Sequence, residues 1–218
     1  MFSSKNQKVY NIQFVYYSML DSITSAVYQA IIRSPSGITT LDILESLRLC
    51  SRATLKTILS RLNKAKKIVR LKRGTYSVYP LTDAFAAAQA MFNGYLSFST
   101  ALYLHKFTTE LPFTVYVATT SGSYSKIIGS FEFKAVALKE KAVGFERKGD
   151  YYISTRAKTL FDCIYLSDYA VEKEKLVNAF KEMPLNQKEW KEFRGYVERF
   201  IKKKHRKRFK DFEKDIRG

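Results

Sequence analysis

The first eighty residues alternate between apolar stripes of helical period and short polar breaks. One stripe runs from residue 11 to about residue 33 and ends before Ser34-Pro35-Ser36-Gly37, where proline and glycine stop a helix. Thr39 or Thr40 then caps a short second helix, and Ser51 caps a third helix that reaches about Lys66. The pattern therefore predicts three consecutive helices.

A strand-like pattern follows the third helix. Branched and aromatic residues lie on both sides of Arg73-Gly74, and a glycine there suits the tight turn between two strands. Pro80 ends the second strand. We interpret residues 1–80 as a winged helix-turn-helix domain, in which three helices precede a β-hairpin wing.

Residues 81–185 mix helical and strand-like segments. The predicted helices cover 82–92, 101–105 with Ser99 as its cap, a segment capped by Thr155, and 171–183. The strand-like segments are 113–117, 127–138 and 143–153. This alternation predicts a small mixed α/β domain.

Residues 186–218 carry apolar residues at spacings of three, four or eight, which predicts one long amphipathic helix. Its apolar positions are Trp190, Phe193, Val197, Ile201, Phe209, Phe212 and Ile216. This face is expected to join the core or to form a dimer seam. The fold class is therefore α+β, with an N-terminal winged helix-turn-helix, a small mixed α/β domain and a C-terminal helical segment.

The charge balance points to a polyanionic partner. The chain holds 38 Lys and Arg against 20 Asp and Glu, a formal net charge of +18, and such a field attracts nucleic acid or an anionic membrane. No stretch approaches the roughly 20 apolar residues that cross a bilayer. The first 20 residues lack the apolar core of a signal peptide. We expect a cytoplasmic protein that binds nucleic acid and no membrane.

Cysteine and histidine are too few to predict a metal centre. Cys50 and Cys163 form no Cys-x-x-Cys pair, and with His105 and His205 they make no zinc-ligand spacing. We expect two free thiols, no metal and no cofactor.

Basic residues concentrate on the predicted third helix and wing. Residues 48–73 hold ten Lys or Arg and no Asp or Glu. The helical period sets small polar residues and cations opposite the apolar face, where a helix in the major groove of double-stranded DNA would meet base edges and phosphates. The predicted DNA-binding residues are Arg52, Lys56, Thr57, Ser60, Arg61, Lys64, Lys72 and Arg73. A winged fold used for protein contacts is the alternative.

A second basic run lies near the C-terminus. It comprises Arg199, Lys202, Lys203, Lys204, Arg206, Lys207, Arg208 and Lys210. Three interpretations stay open, namely contact with a phosphate backbone, docking on an acidic protein, and a solvated helix face.

One short pattern suggests catalysis. Glu132-Phe133-Lys134 matches the Glu-x-Lys of metal-dependent nucleases, in which the carboxylate holds a cation and the lysine steadies the attacking water. Alternation along a strand also puts Glu132 and Lys134 on one face, where a simple ion pair is the commoner outcome. We favour the ion pair and expect no enzymatic activity.

Three strings resemble the AbiEi-type antitoxins of abortive-infection, or type IV, toxin-antitoxin systems. Ile68 to Tyr76 is similar to the basic strand of that family that ends in Arg-Gly-x-Tyr. Tyr95 to His105 resembles a strand and a serine that lead into an Ala-Leu helix with a terminal histidine. Ala157 to Asp162 resembles Glu-Arg-Thr-Leu-x-Asp, although Ala157 replaces the usual glutamate.

The resemblance implies a DNA-binding antitoxin that represses its own operon and counteracts a nucleotidyltransferase-like toxin. It implies binding to inverted repeats in the protein's own promoter, and a homodimer on the DNA is compatible with that symmetry. Direct contact with the toxin stays open. The alternatives are a basic scaffold that docks on acidic proteins and a DNA-processing enzyme that uses Glu132 and Lys134.

Overall fold

The computed structural model describes residues 22–218 and has a mixed α+β fold. The chain forms two compact units, Met1–Asp83 and Ala84–Gly218, called unit 1 and unit 2 below. The part of the first predicted helix before residue 22 lies outside the described residues.

Within its described residues, 22–83, unit 1 contains three α-helices and a three-stranded antiparallel sheet. The elements are α1 (22–32), β1 (Ile38–Thr40), α2 (Leu41–Ser46), α3 (Arg52–Lys64), β2 (Ile68–Lys72) and β3 (Thr75–Val78). The sheet order is β1-β3-β2. The structure confirms the hairpin β2–β3 and the helices α2 and α3, and it adds β1, a three-residue strand that the sequence pattern did not predict.

The predicted helix caps in unit 1 are present. The side-chain oxygen of Thr40 accepts a hydrogen bond from the backbone N–H of Ile43 at 3.3 Å, and that of Ser51 accepts one from Thr54 at 3.2 Å. Each bond satisfies one of the backbone donors that the first turn of a helix leaves unpaired. The apolar faces of the helices meet in one core. Its buried residues are Val27, Ile31, Leu41, Leu44, Leu55, Ile58, Leu59, Leu62 and Ile68.

Unit 2 is built on a six-stranded mixed sheet. Its strands are β4 (Gly94–Leu96), β5 (Thr114–Thr119), β6 (Tyr124–Ile128), β7 (Phe131–Ala137), β8 (Phe145–Lys148) and β9 (Tyr151–Ser154). Their order is β6-β7-β5-β4-β9-β8, with parallel pairing of β5 to β7 and of β4 to β9. The strand-like segments 127–138 and 143–153 each fold into parts of two antiparallel strands, because a turn interrupts each segment.

Six helices belong to unit 2. They are α4 (Ala84–Met91), α5 (Phe98–Leu104), α6 (Arg156–Tyr165), α7 (Lys173–Glu182), α8 (Gln187–Phe200) and α9 (Arg206–Arg217). Thr155 caps α6 as predicted, by accepting from the backbone N–H of Lys158. The prediction that Ser99 caps α5 is wrong, since the helix begins at Phe98 and Ser97 is the residue before it.

The C-terminal segment differs from the prediction in the number of its helices. The expected single long helix is two helices, α8 and α9, because Ile201 adopts an extended backbone with φ −109° and ψ 124°. Residues 186–218 also pack in the same compact unit as residues 84–185. Their apolar positions are buried with α6 and α7 in one cluster, so the apolar face joins the core.

Candidate nucleic-acid interface

Helix α3 presents a polar face that the core does not use. Leu55, Ile58, Leu59 and Leu62 are buried on one side. The six predicted DNA-binding residues of α3 are all exposed, and they are Arg52, Lys56, Thr57, Ser60, Arg61 and Lys64. The helical period therefore separates a core face from a solvent face as the sequence predicted.

The hairpin supplies the second part of the surface. Lys72 and Arg73 are exposed at the turn, where Gly74 has a φ of +76° that favours glycine. Lys72 pairs with Thr75 across the turn, after a register shift between Arg70 and Lys72. The turn thus holds two cationic side chains in solvent.

A groove of about 500 Å³ lies between α3 and the hairpin. Four of the eight predicted residues line it, namely Arg52, Lys56, Ser60 and Arg73. The other four lie outside its walls and are Thr57, Arg61, Lys64 and Lys72. The predicted site is therefore one exposed surface with a concave part and a flanking part.

Sequence reasoning did not assign the other seven lining residues to the groove, and Asn63, Arg70 and Tyr76 are among them. The side-chain oxygen of Asn63 accepts a hydrogen bond from the backbone N–H of Arg70 at 3.0 Å, which ties the end of α3 to β2. Arg70 lies opposite Tyr76 in the strand register. Their alternation with the buried Leu71 and Thr75 was a signal available in the sequence, since successive strand residues point to opposite faces.

The cations of this surface differ in whether a nearby carboxylate neutralises their charge. Arg52 forms ion pairs with Glu45 and, at 3.4 Å, with Asp42, so α2 already offsets its charge. Five other cations have no carboxylate within ion-pair distance among residues 22–218, and they are Lys56, Arg61, Lys64, Lys72 and Arg73. These five charges are available to an external anion.

The Glu-x-Lys pattern of unit 2 forms a local ion pair. Lys134 Nζ lies 3.0 Å from Glu132 Oε2, and about a third of each side chain is exposed. The hydroxyl of Thr114 also donates to this carboxylate, at 3.2 Å. The hydrogen bond from Lys134 to Glu132 raises the pKa of the lysine. The geometry matches the ion pair that the sequence favoured.

Three further side chains are of types that can bind metals, and they are His105, Cys50 and Cys163. His105 Nε2 lies 2.8 Å from the carbonyl oxygen of Ser154, and burial lowers the pKa of the imidazole. Both cysteines are free thiols; Cys163 is buried, whereas Cys50 is only half-buried. Within residues 22–218, no three His, Cys, Asp or Glu side chains cluster in a way that would hold a metal ion.

An ion pair that the sequence did not predict lies in the core of unit 2. Lys158 and Asp162, one turn apart on α6, pair with each other while fully buried. The carboxylate also accepts hydrogen bonds from Ser97 Oγ at 2.7 Å and from Tyr95 Oη at 3.4 Å. Burial raises the pKa of Asp162 and lowers that of Lys158, because a low-dielectric interior disfavours both charged forms.

Comparison with known proteins adds no assignment to this geometry. No family model and no curated protein match the chain. Within the described residues, no helix is both long enough and apolar enough to cross a membrane.

Proposed function

We propose that unit 1 is a winged helix-turn-helix that binds double-stranded DNA, with α3 in the major groove and the β2–β3 hairpin as the wing. One observation carries the proposal. The exposed face of α3 and the turn of the hairpin carry five cations that form no ion pair among residues 22–218, in a segment, residues 48–73, that has ten Lys or Arg and no acidic residue. A surface that serves only solubility mixes charges of both signs.

The exposed face suits the chemistry of a groove. Ala53, Thr57 and Ser60 are small, so the helix axis can approach base edges closely, while Lys56 and Arg61 reach guanine or phosphate oxygens from its two sides. Lys72 and Arg73 at the hairpin turn would contact the flanking phosphate backbone. Engagement of about five phosphates gives a slope of log affinity against log salt of roughly −4 to −5.

The resemblance to AbiEi-type antitoxins supports a more specific role. In this proposal the protein acts in the cytoplasm, represses its own toxin-antitoxin operon at inverted repeats, and counteracts a nucleotidyltransferase-like toxin through unit 2. Two of the three strings behind the resemblance meet in the core of unit 2, where Ser97 donates to Asp162. Two copies on the DNA would match the symmetry of the repeats.

The test of DNA binding is fluorescence anisotropy with the protein's own upstream duplex and a scrambled duplex over a salt series. The wild-type protein should prefer the upstream duplex, and the double variant Lys56→Ala, Arg61→Ala should abolish that preference, because both side chains lie on the exposed face of α3 that would enter the major groove. The control Lys106→Ala, Lys148→Ala removes the same charge from exposed positions of unit 2. Undiminished preference in the groove variant would overturn the proposed face of α3.

The antitoxin role has a separate test. A nucleotidyltransferase gene beside this one should be toxic when expressed alone, and co-expression of the wild-type chain should restore growth. Rescue by the Lys56→Ala, Arg61→Ala variant is expected as well, because neutralisation is assigned to unit 2. Toxicity that the wild-type chain leaves unchanged would contradict the antitoxin role and leave DNA binding to be judged by its own measurement.

A further inference from the structure

We propose that unit 2 carries a second contact surface for the phosphate backbone of DNA, formed by the break between α8 and α9 and the start of α9. This C-terminal basic surface comprises Lys202, Lys203, Lys204, Lys207, Arg208 and Lys210. All six side chains are exposed. Phosphodiester binding follows from the chemistry of this surface, while the choice of DNA over other phosphodiesters rests on the function proposed for unit 1.

The charge of unit 2 is concentrated in this region. Residues 84–185 hold 12 Lys or Arg and 10 Asp or Glu, whereas residues 186–218 hold 13 and 6. Residues 202–210 contain no acidic side chain. None of the six cations forms an ion pair within residues 22–218. Their charge is therefore not neutralised by the fold.

Arg206, in the same run, is a cation that the fold itself binds. Its guanidinium donates to the carbonyl oxygen of Ile201 at 2.9 Å and to that of Glu198 at 2.6 Å, so it closes the end of α8. Arg206 is half-buried, unlike its six exposed neighbours. The fold thus uses one cation of the run and leaves the others to solvent.

Cations at the start of α9 do not stabilise that helix. The first turn of α9 contains Arg206, Lys207 and Arg208 and no acidic residue. Cations at a helix N-terminus oppose the helix dipole and typically cost about 0.3 to 1 kcal/mol each. A bound polyanion would offset that cost, which is a physical reason for this placement.

The apolar residues of the region favour DNA over two other partners. Phe209, Phe212 and Ile216 are buried in the core, so α9 has no free apolar face to insert into a lipid surface. Protein interfaces rely on apolar and aromatic anchors. No large apolar side chain within residues 186–218 is exposed. Exposed cations without anchors suit the repeating charge of a phosphate backbone.

The test uses the full chain and a DNA duplex of unrelated sequence, with affinity measured by anisotropy over a salt series. The variant Lys203→Gln, Lys207→Gln, Lys210→Gln should reduce affinity by about tenfold or more at 0.1 M salt and reduce the salt slope by about 2 to 3, since each lost phosphate contact contributes about 0.9. The control Lys106→Gln, Lys139→Gln, Lys148→Gln removes the same charge from other exposed positions of unit 2.

Two results would overturn the inference. One is a C-terminal variant that binds DNA as tightly as the wild-type protein, and the other is a control variant that loses as much affinity as the C-terminal variant. Circular dichroism should show both variants folded, because all six substituted side chains are exposed. The outcome is independent of operator recognition. If the wild-type protein does not prefer its upstream duplex, the proposed regulatory function is wrong. A selective loss of DNA affinity in the C-terminal variant would still establish the second surface.

Discussion

At the scale of single residues, the buried Lys158–Asp162 pair of unit 2 has a high free-energy cost of desolvation. Both side chains are fully buried, and Lys158 Nζ lies 5.0 Å from the ring centroid of Phe161 and 5.8 Å from those of Tyr95 and Tyr196. Removal of two charges from water costs several kcal/mol per ion, which mutual attraction and further hydrogen bonds must offset. The donors Ser97 and Tyr95 supply those bonds to the carboxylate.

Breaking this pair should destabilise the protein strongly. We expect Asp162→Asn and Lys158→Met each to lower the free energy of unfolding by about 3 to 5 kcal/mol, because each leaves a buried charge without its partner. The double variant Lys158→Met, Asp162→Leu should lose much less than the sum of the two. Urea denaturation measures all three.

The partly exposed Glu132–Lys134 pair of unit 2 is the control for that measurement. Glu132→Gln should change the free energy of unfolding by no more than about 1 kcal/mol, because Glu132 and Lys134 remain in contact with solvent. Additive losses in the buried pair would contradict the coupling that we assign to it.

His105 should make the stability of unit 2 depend on pH. Burial lowers its pKa below the usual 6.5, with Lys148 and Arg156 acting in the same direction and the Ser154 carbonyl and Glu146 opposing. The unfolded chain therefore binds a proton that the folded chain resists, and stability falls as pH drops below about 6.5, at most by about 1.4 kcal/mol per pH unit. Denaturation at pH 7.5 and pH 5.5 measures the loss.

Two variants isolate the histidine in that experiment. His105→Gln should reduce the difference in stability between the two pH values, because the titrating group is gone. His205→Gln is the matched control, because it removes the same residue type from an exposed position at the start of α9. A pH dependence that persists in the His105→Gln variant would assign the effect to other groups.

At the scale of elements, two arginine side chains hold the corner between α8 and α9. Arg206 on α9 holds the carbonyl oxygens of Glu198 and Ile201, which the end of α8 would otherwise leave without an intrahelical partner. Arg194 on α8 also binds the Glu213 carboxylate on α9, with Nε 3.0 Å from Oε1. These contacts fix the second helix after the chain turns.

Arg206→Ala should therefore lower the free energy of unfolding by about 1.5 to 3 kcal/mol, the usual range for hydrogen bonds made by a charged group. Arg208→Ala is the matched control two residues away, and we expect a change within about 0.5 kcal/mol because its side chain is exposed and forms no ion pair within residues 22–218. Thermal or urea denaturation compares the two. Equal losses would show that Arg206 has no special role at the corner.

The short strands show where pattern analysis fails at this scale. β1 spans only Ile38–Thr40, too few residues for alternation to be recognised, and its partner β3 lies more than 30 positions later. β4 is equally short and obtains its place from β5 and β9 on either side. Pairing with distant strands makes these segments extended, and a local window of sequence does not contain that information.

At the scale of the whole molecule, positive charge gathers in two regions of the chain. One is residues 48–73 in unit 1, and the other is residues 186–218 in unit 2, with a nearly balanced stretch between them over 84–185. Because each unit has its own core, each charged region is carried by an independently packed scaffold. The two binding experiments proposed above measure the regions separately.

The chain sequence by itself determined the α+β class, the helix caps at Ser51 and Thr155, a cap at Thr39 or Thr40, the β2–β3 hairpin and the exposed cationic face of α3. These features follow from local periodicity, capping chemistry and charge, all of which act within a few residues. The predicted DNA contacts remain predictions.

Only the tertiary structure decided the rest. The amphipathic pattern of residues 186–218 fitted one long helix equally well, and the bend at Ile201 appears because α9 must return its apolar face to the core that α6 and α7 share. Sequence spacing allowed Lys158 and Asp162 to pair on any exposed helix, whereas burial by distant segments made that pair part of the core. Packing between remote parts of the chain determines such features, because the gain in buried area depends on the complete fold.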